Sequence, residues 1–531
     1  MNSLEFNHFR KFQHFSRIEF GNISFLVGAN NSGKSTFVKA LVLIEEFLKS
    51  DNWSTFNFNN SQSENVNFIT YSRALNKNTD TKIQGNYIDF KYQIKQYEFY
   101  LKITSNPNNT IADVLEISLI DLRENFKFSF FPKQKYFVIE NNSQYFKDQR
   151  IRRTDPDLKQ LELLEQSKLE LTKLREAIST VKDTLSSEYV ELIDESNKLS
   201  AQISFLNKSL HSSIRGNQKE LESLLLTCDT TKTNPGELFE EIVTTFLSRY
   251  DVRFAESQKK KFTGKKSEEF SNLRYFYQNR RYFESVFTNV LDVIANKTSI
   301  YLPAVAQKQY ALLPARDKSN QLAQAIFNYA IANLDSNENC VAFINTQLRK
   351  FEIGQALEII VVEGDYCLAE IVQFTPTNNQ AKANKLKEPA KILISDLGMG
   401  SIQLVKLILQ LAVLIFSPKK NDKEITVIIE EPEMNLHPKL QSLLCDLFYE
   451  VSEYGIQIIA ETHSEYLVRK TQLIVKQHEL KIEPNLNPFS VIYFNNDNKV
   501  WNMEYREDGK FKNEFGSGFF DETRNIVKQM L

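Results

Sequence analysis

The chain has 531 residues, 42% hydrophobic and 25% charged, and its 65 lysines and arginines nearly balance 67 aspartates and glutamates, for a formal net charge of −2. This is ordinary globular material for two or three domains, and it lacks the positive charge that would attract nucleic acid globally, so any such binding has to come from a local surface. Four scattered cysteines, Cys228, Cys340, Cys367 and Cys445, have no metal-ligand spacing, no run approaches the roughly 18 apolar residues of a membrane span, and no signal peptide opens the chain, so a soluble cytoplasmic protein with no membrane partner is expected.

The run Ile23–Val27 predicts a buried strand, and Phe37, Val38, Leu41, Val42, Ile44, Phe47 and Leu48 have the spacing of an amphipathic helix starting at Thr36. The loop Gly28-Ala29-Asn30-Asn31-Ser32-Gly33-Lys34-Ser35 joins them. Strand, glycine-rich loop and helix are the context of a Walker A motif: glycines let backbone N–H groups close around phosphates, and the helix N-terminus adds a favourable dipole. The expected ATP-binding set is Gly28, Asn30, Asn31, Ser32, Gly33, Lys34, Ser35 and Thr36. Lys34 would reach the β and γ phosphates, and the Ser35 hydroxyl would sit on Mg2+.

Tyr87–Ile103 and Val114–Val138 alternate apolar and polar residues, which predicts antiparallel strands. From Asp157 to about Arg215 there is no proline or glycine, and Leu164, Leu171, Ile178, Leu185, Leu192, Leu199 and Leu206 recur every seven residues, a coiled-coil signal. The companion apolar position is Leu174 and Val181 early, then Tyr189, Ile203 and Leu210, so the register shifts near residue 186. The shift fits a stutter in one long helix or, the reading favoured here, the turn of a helical hairpin, whose return arm could also be Gln218–Thr227 and beyond. Asn234-Pro235-Gly236 breaks the region, and helices are predicted over Glu237–Tyr250 and Phe270–Ala295. Lys259, Lys260, Lys261, Lys265 and Lys266, with Arg274, Arg280, Arg281 and the aromatic Tyr275, Phe276, Tyr277 and Tyr282, are a candidate contact for DNA or RNA, helped by Arg150, Arg152 and Arg153.

Further on, Leu357–Phe374 predicts more strand, and a helix is expected from Ser401 to about Ile415. Thr426–Ile429 is a continuous apolar run ending in Glu430 and Glu431, as expected of a central parallel strand delivering side chains at its C-terminal end. Glu430 would hold Mg2+ through water and Glu431 would polarise the attacking water; Pro432 ends the strand. His437 lies at a bend before a helix opened by Pro438, running to about Glu453 and closed by Gly455. A second strand, Ile456–Ala460, leads to Glu461-Thr462-His463-Ser464, where Thr462 and Glu465 have capping-box spacing and His463 could sense the γ-phosphate. Phe489–Phe494 and Val500–Tyr505 predict a strand pair, and a last helix opens near Gly518.

Together these residues resemble the ABC/SMC-like branch of P-loop ATPases, in particular AAA-family ATPases similar to RecF and to the ATPase half of overcoming-lysogenization-defect (OLD) nucleases. Glu430-Glu431-Pro432-Glu433 followed by Asn435-Leu436-His437-Pro438 carries most of the likeness, with Asn7-His8-Phe9-Arg10-Lys11-Phe12 as a looser form of an N-terminal family element. The resemblance covers about residues 1–50 and 390–531 and implies an α/β fold: an ABC-type P-loop ATPase head, a mixed sheet with helices plus an antiparallel β lobe, interrupted by a coiled-coil or helical insertion. The expected divisions are 1–150 and 301–531 for the two parts of the head, 151–230 for the insertion and 231–300 for a helical region with the basic cluster. The resemblance also implies a signature loop, Leu393–Gly400, whose Ser395, Gly398 and Gly400 would contact ATP held by a second copy.

The implied activity is ATP hydrolysis with ATP and Mg2+, Glu431 and His463 catalytic, Ser35 and Glu430 on the metal, in a homodimer or higher homo-oligomer. Too little chain follows His463 for a Toprim nuclease, and the strand-end Glu and Asp-x-Asp pattern is missing, so no nuclease activity in cis is expected. A separate effector protein, a nuclease or toxin of prokaryotic anti-phage defence, is the expected partner. The alternatives are a RecF-like DNA-repair ATPase and a nucleotide-gated scaffold with slow hydrolysis.

Overall fold

A computed structural model describes residues 2–58, 70–79, 86–123, 126–141, 224–304, 313–314, 320–362, 366–373, 390–417, 423–483, 486–516, 520 and 528–530, with single positions at 171, 192, 193, 196, 198 and 200. At its centre is a six-stranded sheet in the order Lys297–Leu302, Glu424–Glu430, Ile456–Thr462, Ile23–Gly28, Phe489–Phe494, Val500–Met503. The first five strands are parallel and the last is antiparallel to its neighbour. Two segments far apart in sequence, Ile23–Gly28 and Ile456–Thr462, are therefore adjacent strands.

The four inner strands are nearly continuous apolar runs because both faces of the sheet are covered there. Successive side chains point to opposite faces, and the burial divides accordingly: Leu26, Ile428, Ile459 and Ile492 belong to one core, Phe25, Val27, Val427, Ile429, Ile458 and Val491 to the other. The first core also takes the helix Lys34–Leu48 and the antiparallel lobe; the second takes the helices Met399–Phe416, Pro438–Glu453 and Glu465–Gln477. The lobe is a nine-stranded antiparallel sheet that starts with the hairpin Asn2–Phe9 and Phe12–Phe20 and continues through Tyr87–Ile94, Tyr97–Ser105, Ile111–Asp121, Phe126–Phe131 and Tyr136–Asn141 to Leu224–Asp229, with the short Thr55–Asn57 paired to Ile111–Asp121 as the ninth. A smaller four-stranded sheet contains Ala356–Val362 paired with Tyr366–Val372.

The chain leaves the lobe after Asn141 and re-enters as the neighbouring strand, Leu224 pairing with Asn141 and Asp229 with Tyr136. Residues 224–227, the end of the alternative return arm Gln218–Thr227, are thus β-strand. Of the heptad positions, Leu171 and Leu192 are helical. The rest of the repeat, the register shift and the three arginines at 150, 152 and 153 lie outside the described residues.

Four other expectations are corrected. The helix foreseen over 270–295 is two helices, Lys265–Gln278 and Arg280–Asn296, divided at Asn279, whose φ of −108° and ψ of 14° leave the helical region and whose side chain donates to the Tyr275 carbonyl at 2.8 Å. The aromatic residues of the basic cluster are mostly core: Phe276 is fully buried and Tyr275 and Tyr282 pack on the same core, while the exposed Tyr277 stacks on Tyr250 and lies under Arg280. The capping residue of the helix Glu465–Gln477 is Ser464, whose Oγ accepts from the Leu467 N–H at 3.2 Å; Thr462 is drawn into the strand by pairing with Val27. Finally, the helix Met399–Phe416 is long and apolar enough by composition to cross a membrane, contrary to the expectation that no run approaches that length. Ten of its residues are buried within the head.

Candidate functional site

The phosphate loop begins where the strand Ile23–Gly28 ends. Gly28 has φ of +149°, and a Cβ there would lie 2.3 Å from the Phe494 carbonyl oxygen; Gly33 has φ of +112°, and its Cβ would lie 2.4 Å from the Phe12 ring. Both positions therefore exclude a side chain on space and on backbone conformation. Gly33 leads into the helix Lys34–Leu48, which has no side-chain cap; the Gly33 carbonyl accepts from the Thr36 N–H at 3.0 Å, and the positive end of the helix dipole lies at the cleft. Lys34 is 3% exposed and its Nζ donates to the carbonyls of Gly28 and Ala29, both at 3.0 Å. Burial pulls the Lys34 ammonium below its ordinary pKa, while Glu461 and Glu431 oppose the shift. Asn30 and Asn31 are exposed, Asn31 in the left-handed region at φ 61°; Ser32 and Thr36 are buried.

The other half of the site comes from the ends of the adjacent strands. Glu430 and Glu461 are register partners, and Glu461 is in turn opposite Leu26 of the phosphate-loop strand. The Glu461 carboxylate accepts from Ser35 Oγ at 3.0 Å and lies 3.8 Å from Lys34 Nζ. Burial pushes its pKa up to about 7, against the lowering influence of Lys34 and Ser35. Glu430 accepts a hydrogen bond from the Tyr301 hydroxyl.

Glu431 follows with φ of 42°, a strained conformation for a side-chain-bearing residue, held by its N–H bonding to the Glu461 carbonyl at 2.8 Å and by Gln403 Nε2 donating to its own carbonyl at 3.4 Å. Its carboxylate is 3.9 Å from His463 Nε2. The His463 N–H donates to the buried Glu433 carboxylate at 2.6 Å, which fixes the turn carrying the imidazole. Burial, then Lys34, holds His463 down to about 4, so the ring is neutral at physiological pH.

The phosphate loop opens on a cleft of about 740 Å3 whose lining includes Lys34, Ser35 and Glu461 together with Arg10, Lys11 and Arg73; Glu430, Glu431 and His463 stand beyond its lining. The excess of cations over the one carboxylate suits a polyphosphate. Ser395, Gly398 and Gly400 do not line it. Ser395 is at the surface, with Oγ 3.4 Å from Asp396; Gly398 precedes the helix Met399–Phe416 and faces open space; Gly400 packs against the turn after Glu431, where a Cβ would come 2.4 Å from the Asn435 carbonyl. His437 is the N-cap of the helix Pro438–Glu453, its Nδ1 accepting from Lys439 N–H at 3.4 Å.

The structure thus brings Lys34, Ser35, Glu430, Glu431 and His463 together at the C-terminal ends of three interior strands of the central sheet and adds residues that no motif marked. Glu461 was signalled only by standing at a strand end level with Glu430. Glu433 carried no signal beyond the Glu-Pro-Glu spacing. Arg10 and Lys11 occupy the tight turn of the N-terminal hairpin, where Lys11 Nζ donates to the Asn31 carbonyl at 2.8 Å, and Arg73 is brought close by pairing of the Arg10 N–H with the Ala74 carbonyl.

A family model described as the AAA ATPase domain, AAA_15, matches residues 1–468. This chain belongs to the AAA ATPase domain family. Among solved structures, this AAA ATPase is similar to the Smc head domain of Pyrococcus furiosus with an extended coiled coil, bound to the C-terminal domain of ScpA (12% identity, TM-score 0.35, all of both chains covered). It is also similar to an SmcHead bound to the C-winged helix domain of ScpA (11%, 0.34, 96% of each chain) and to the SMC head domain of Thermotoga maritima (10%, 0.30, 95% of this chain and 98% of that one). These likenesses are loose, and the family assignment rests on the family model. No curated protein matches the chain.

Proposed function

We propose that this AAA ATPase binds ATP with Mg2+ in the cleft and hydrolyses it within a dimer that ATP itself holds together. The observation that carries the reading is the convergence of Lys34 and Ser35 with Glu430, Glu431 and His463 at neighbouring strand ends. Gly28, Asn30, Asn31, Ser32, Gly33 and Thr36 enclose the phosphates, and Lys34 exchanges its carbonyl partners for phosphate oxygens. Glu431, partly exposed beside the neutral His463, orients the attacking water, while His463 offers a ring nitrogen to the γ-phosphate.

The donor set suits magnesium: Ser35 and strand-end carboxylates supply only oxygen, and among the described residues no cluster of three or more His, Cys, Asp or Glu forms an all-protein cage, which this cation does not require. Bound there, with Glu430 reaching it through water, it would neutralise charge on the transferred phosphoryl group.

Gly398, exposed and facing open space, and the half-buried Ser395 beside it are placed where the ATP of a second copy could meet them, and that supports completion of each site in trans. Hydrolysis would then part the heads and move the insertion. By its resemblance to OLD-type ATPase parts, the chain would control a separate effector nuclease or toxin in prokaryotic anti-phage defence. Free buried Cys228, Cys340 and Cys445 support a cytoplasmic setting.

Glu431→Gln is expected to bind ATP, fail to hydrolyse it and accumulate as a dimer in light scattering. The same mass with and without ATP would refute the trans arrangement. Turnover with and without DNA, and the composition of the natively purified complex, separate effector control from a DNA-stimulated repair ATPase and from a slow nucleotide-gated scaffold.

A further inference from the structure

Two carboxylates, Glu430 and Glu461, stand side by side at the ends of paired strands, and one divalent cation needs an anionic oxygen next to the Ser35 hydroxyl. Their surroundings differ. Glu430 is engaged by the Tyr301 hydroxyl and does not line the cleft. Glu461 lines it, is 7% exposed, and has one oxygen, Oε1, in direct contact with Ser35 Oγ at 3.0 Å. Its other oxygen, Oε2, is buried with no hydrogen-bond partner among the described residues, although a buried carboxylate oxygen is normally satisfied. An anionic oxygen left open beside a serine hydroxyl and a phosphate-loop lysine is what a hard, oxygen-seeking cation requires.

We propose that Glu461 is the carboxylate that holds the divalent cation directly beside Ser35, with Glu430 reaching it only through water. The proposal rests on the reading that the cleft takes ATP. Glu430 then keeps Tyr301 at the strand end and acts on the cation from outside. Glu461 also has a second, opposing effect: in its ionised form without a cation it repels the triphosphate, and with a cation it bridges to it. The metal dependence of ATP binding is therefore built into this one side chain.

The test measures ATP dissociation constants by calorimetry on the full chain, in Mg2+ and in EDTA, for the wild type, Glu461→Gln and Glu430→Gln, with melting temperatures in the absence of nucleotide as a check on folding. Glu461→Gln should bind metal-free ATP as tightly as the wild type or more tightly, and should lose at least tenfold more of the Mg2+ enhancement than Glu430→Gln does. The electron paramagnetic resonance spectrum of bound Mn2+ with ATP should change in the Glu461 variant. If Glu461→Gln does not fold, Glu461→Asp, which keeps the charge but is one methylene shorter, should show a partial loss of the same enhancement. An unchanged Mg2+ enhancement in the Glu461 variants, or an equal loss in Glu430→Gln, overturns the proposal. If Lys34→Ala leaves ATP affinity at the wild-type level, the ATP reading itself fails, a result distinct from either of these.

Discussion

Glu45 and Lys297 join the helix Lys34–Leu48 to the first strand of the central sheet, and their charges are separated from water almost completely. Both side chains are 4% exposed and their charged atoms are 3.0 Å apart; Lys297 Nζ also donates to the Tyr92 hydroxyl at 2.6 Å, while Tyr92 and Ser299 donate to the Glu45 carboxylate. Burial alone would raise the Glu45 pKa, but Lys297, Ser299 and Tyr92 outweigh it and hold the group below its ordinary range. Lys297→Met leaves that carboxylate buried with two hydroxyl donors and no cation, so the expected loss is about 3 kcal/mol at pH 7, the lower end of what breaking a buried pair costs. The double variant Glu45→Gln with Lys297→Met should recover most of it, because the uncompensated charge is then gone.

The pH dependence has a definite sign. In the wild type the stabilisation is present above the unfolded carboxylate pKa and is lost as pH falls through the depressed folded value. In Lys297→Met burial dominates and raises the Glu45 pKa, so the variant takes up a proton on acidification and the gap between the two proteins narrows from pH 8 toward pH 5. Trp53 is fully buried in the same lobe, with its indole N–H donating to the Leu48 carbonyl at 3.3 Å, and Trp501 is the only other tryptophan. Urea titrations followed by Trp53 fluorescence in a Trp501→Phe background therefore report on this lobe. A gap below about 1 kcal/mol at pH 7, or one that does not move with pH, would refute the charge argument.

Gly33→Ala is expected to cost at least about 1–3 kcal/mol through its positive φ, with the Phe12 ring displaced besides, and to abolish measurable ATP binding; calorimetry and melting check both. Gly398→Ala, with φ of −62° and open space around it, should leave monomer stability within about 0.5 kcal/mol yet weaken the ATP-dependent dimer, whereas Gly400→Ala should already destabilise the monomer by colliding with the Asn435 carbonyl. Lys406 is buried in the helix Met399–Phe416, and burial lowers its pKa to about 8, its ammonium donating to Gln321 Oε1 at 3.1 Å. Lys406→Met should raise stability by about 1 kcal/mol below pH 8, where the folded wild type carries the full cost of a buried charge, and the advantage should fade toward pH 10 as the wild type sheds that proton; denaturant titrations across that range decide it.

The parts of the fold that depend on local pattern were legible in the sequence. The helix Pro438–Glu453 has the expected bounds because proline, an apolar period and Gly455 at φ +76° all act within the segment. The strands Ile23–Gly28 and Phe489–Phe494 follow from apolar runs buried on both faces. What escaped was decided at long range. Thr462 and Ser464 compete for the cap of one helix, and only pairing of Thr462 with Val27 settles the matter. Residues 224–227 carry no turn signal that would separate strand from helix, and their state is set by the partner strand Tyr136–Asn141. In the site, Lys34, Ser35, Glu430, Glu431 and His463 announce themselves by motif, but Glu461, Glu433, Arg10 and Arg73 take their positions from sheet register and from a hairpin turn folding over the phosphate loop. The helix Met399–Phe416 was foreseen over most of its length, from Ser401 to about Ile415, but its overall apolar character was hidden by Gln403, Lys406 and Gln410, which interrupt the apolar run.

The pairing of Asn141 with Leu224 makes the inserted segment, topologically, the loop of a single β-hairpin on the margin of the lobe. Closing such a loop costs only about 0.6 kcal/mol more for each doubling of its length. An appendage mounted this way can be lengthened, trimmed or exchanged while the catalytic head keeps nearly the same folding free energy. A push on it reaches the head as a twist shared by two bonded neighbours, not as a pull on one strand alone.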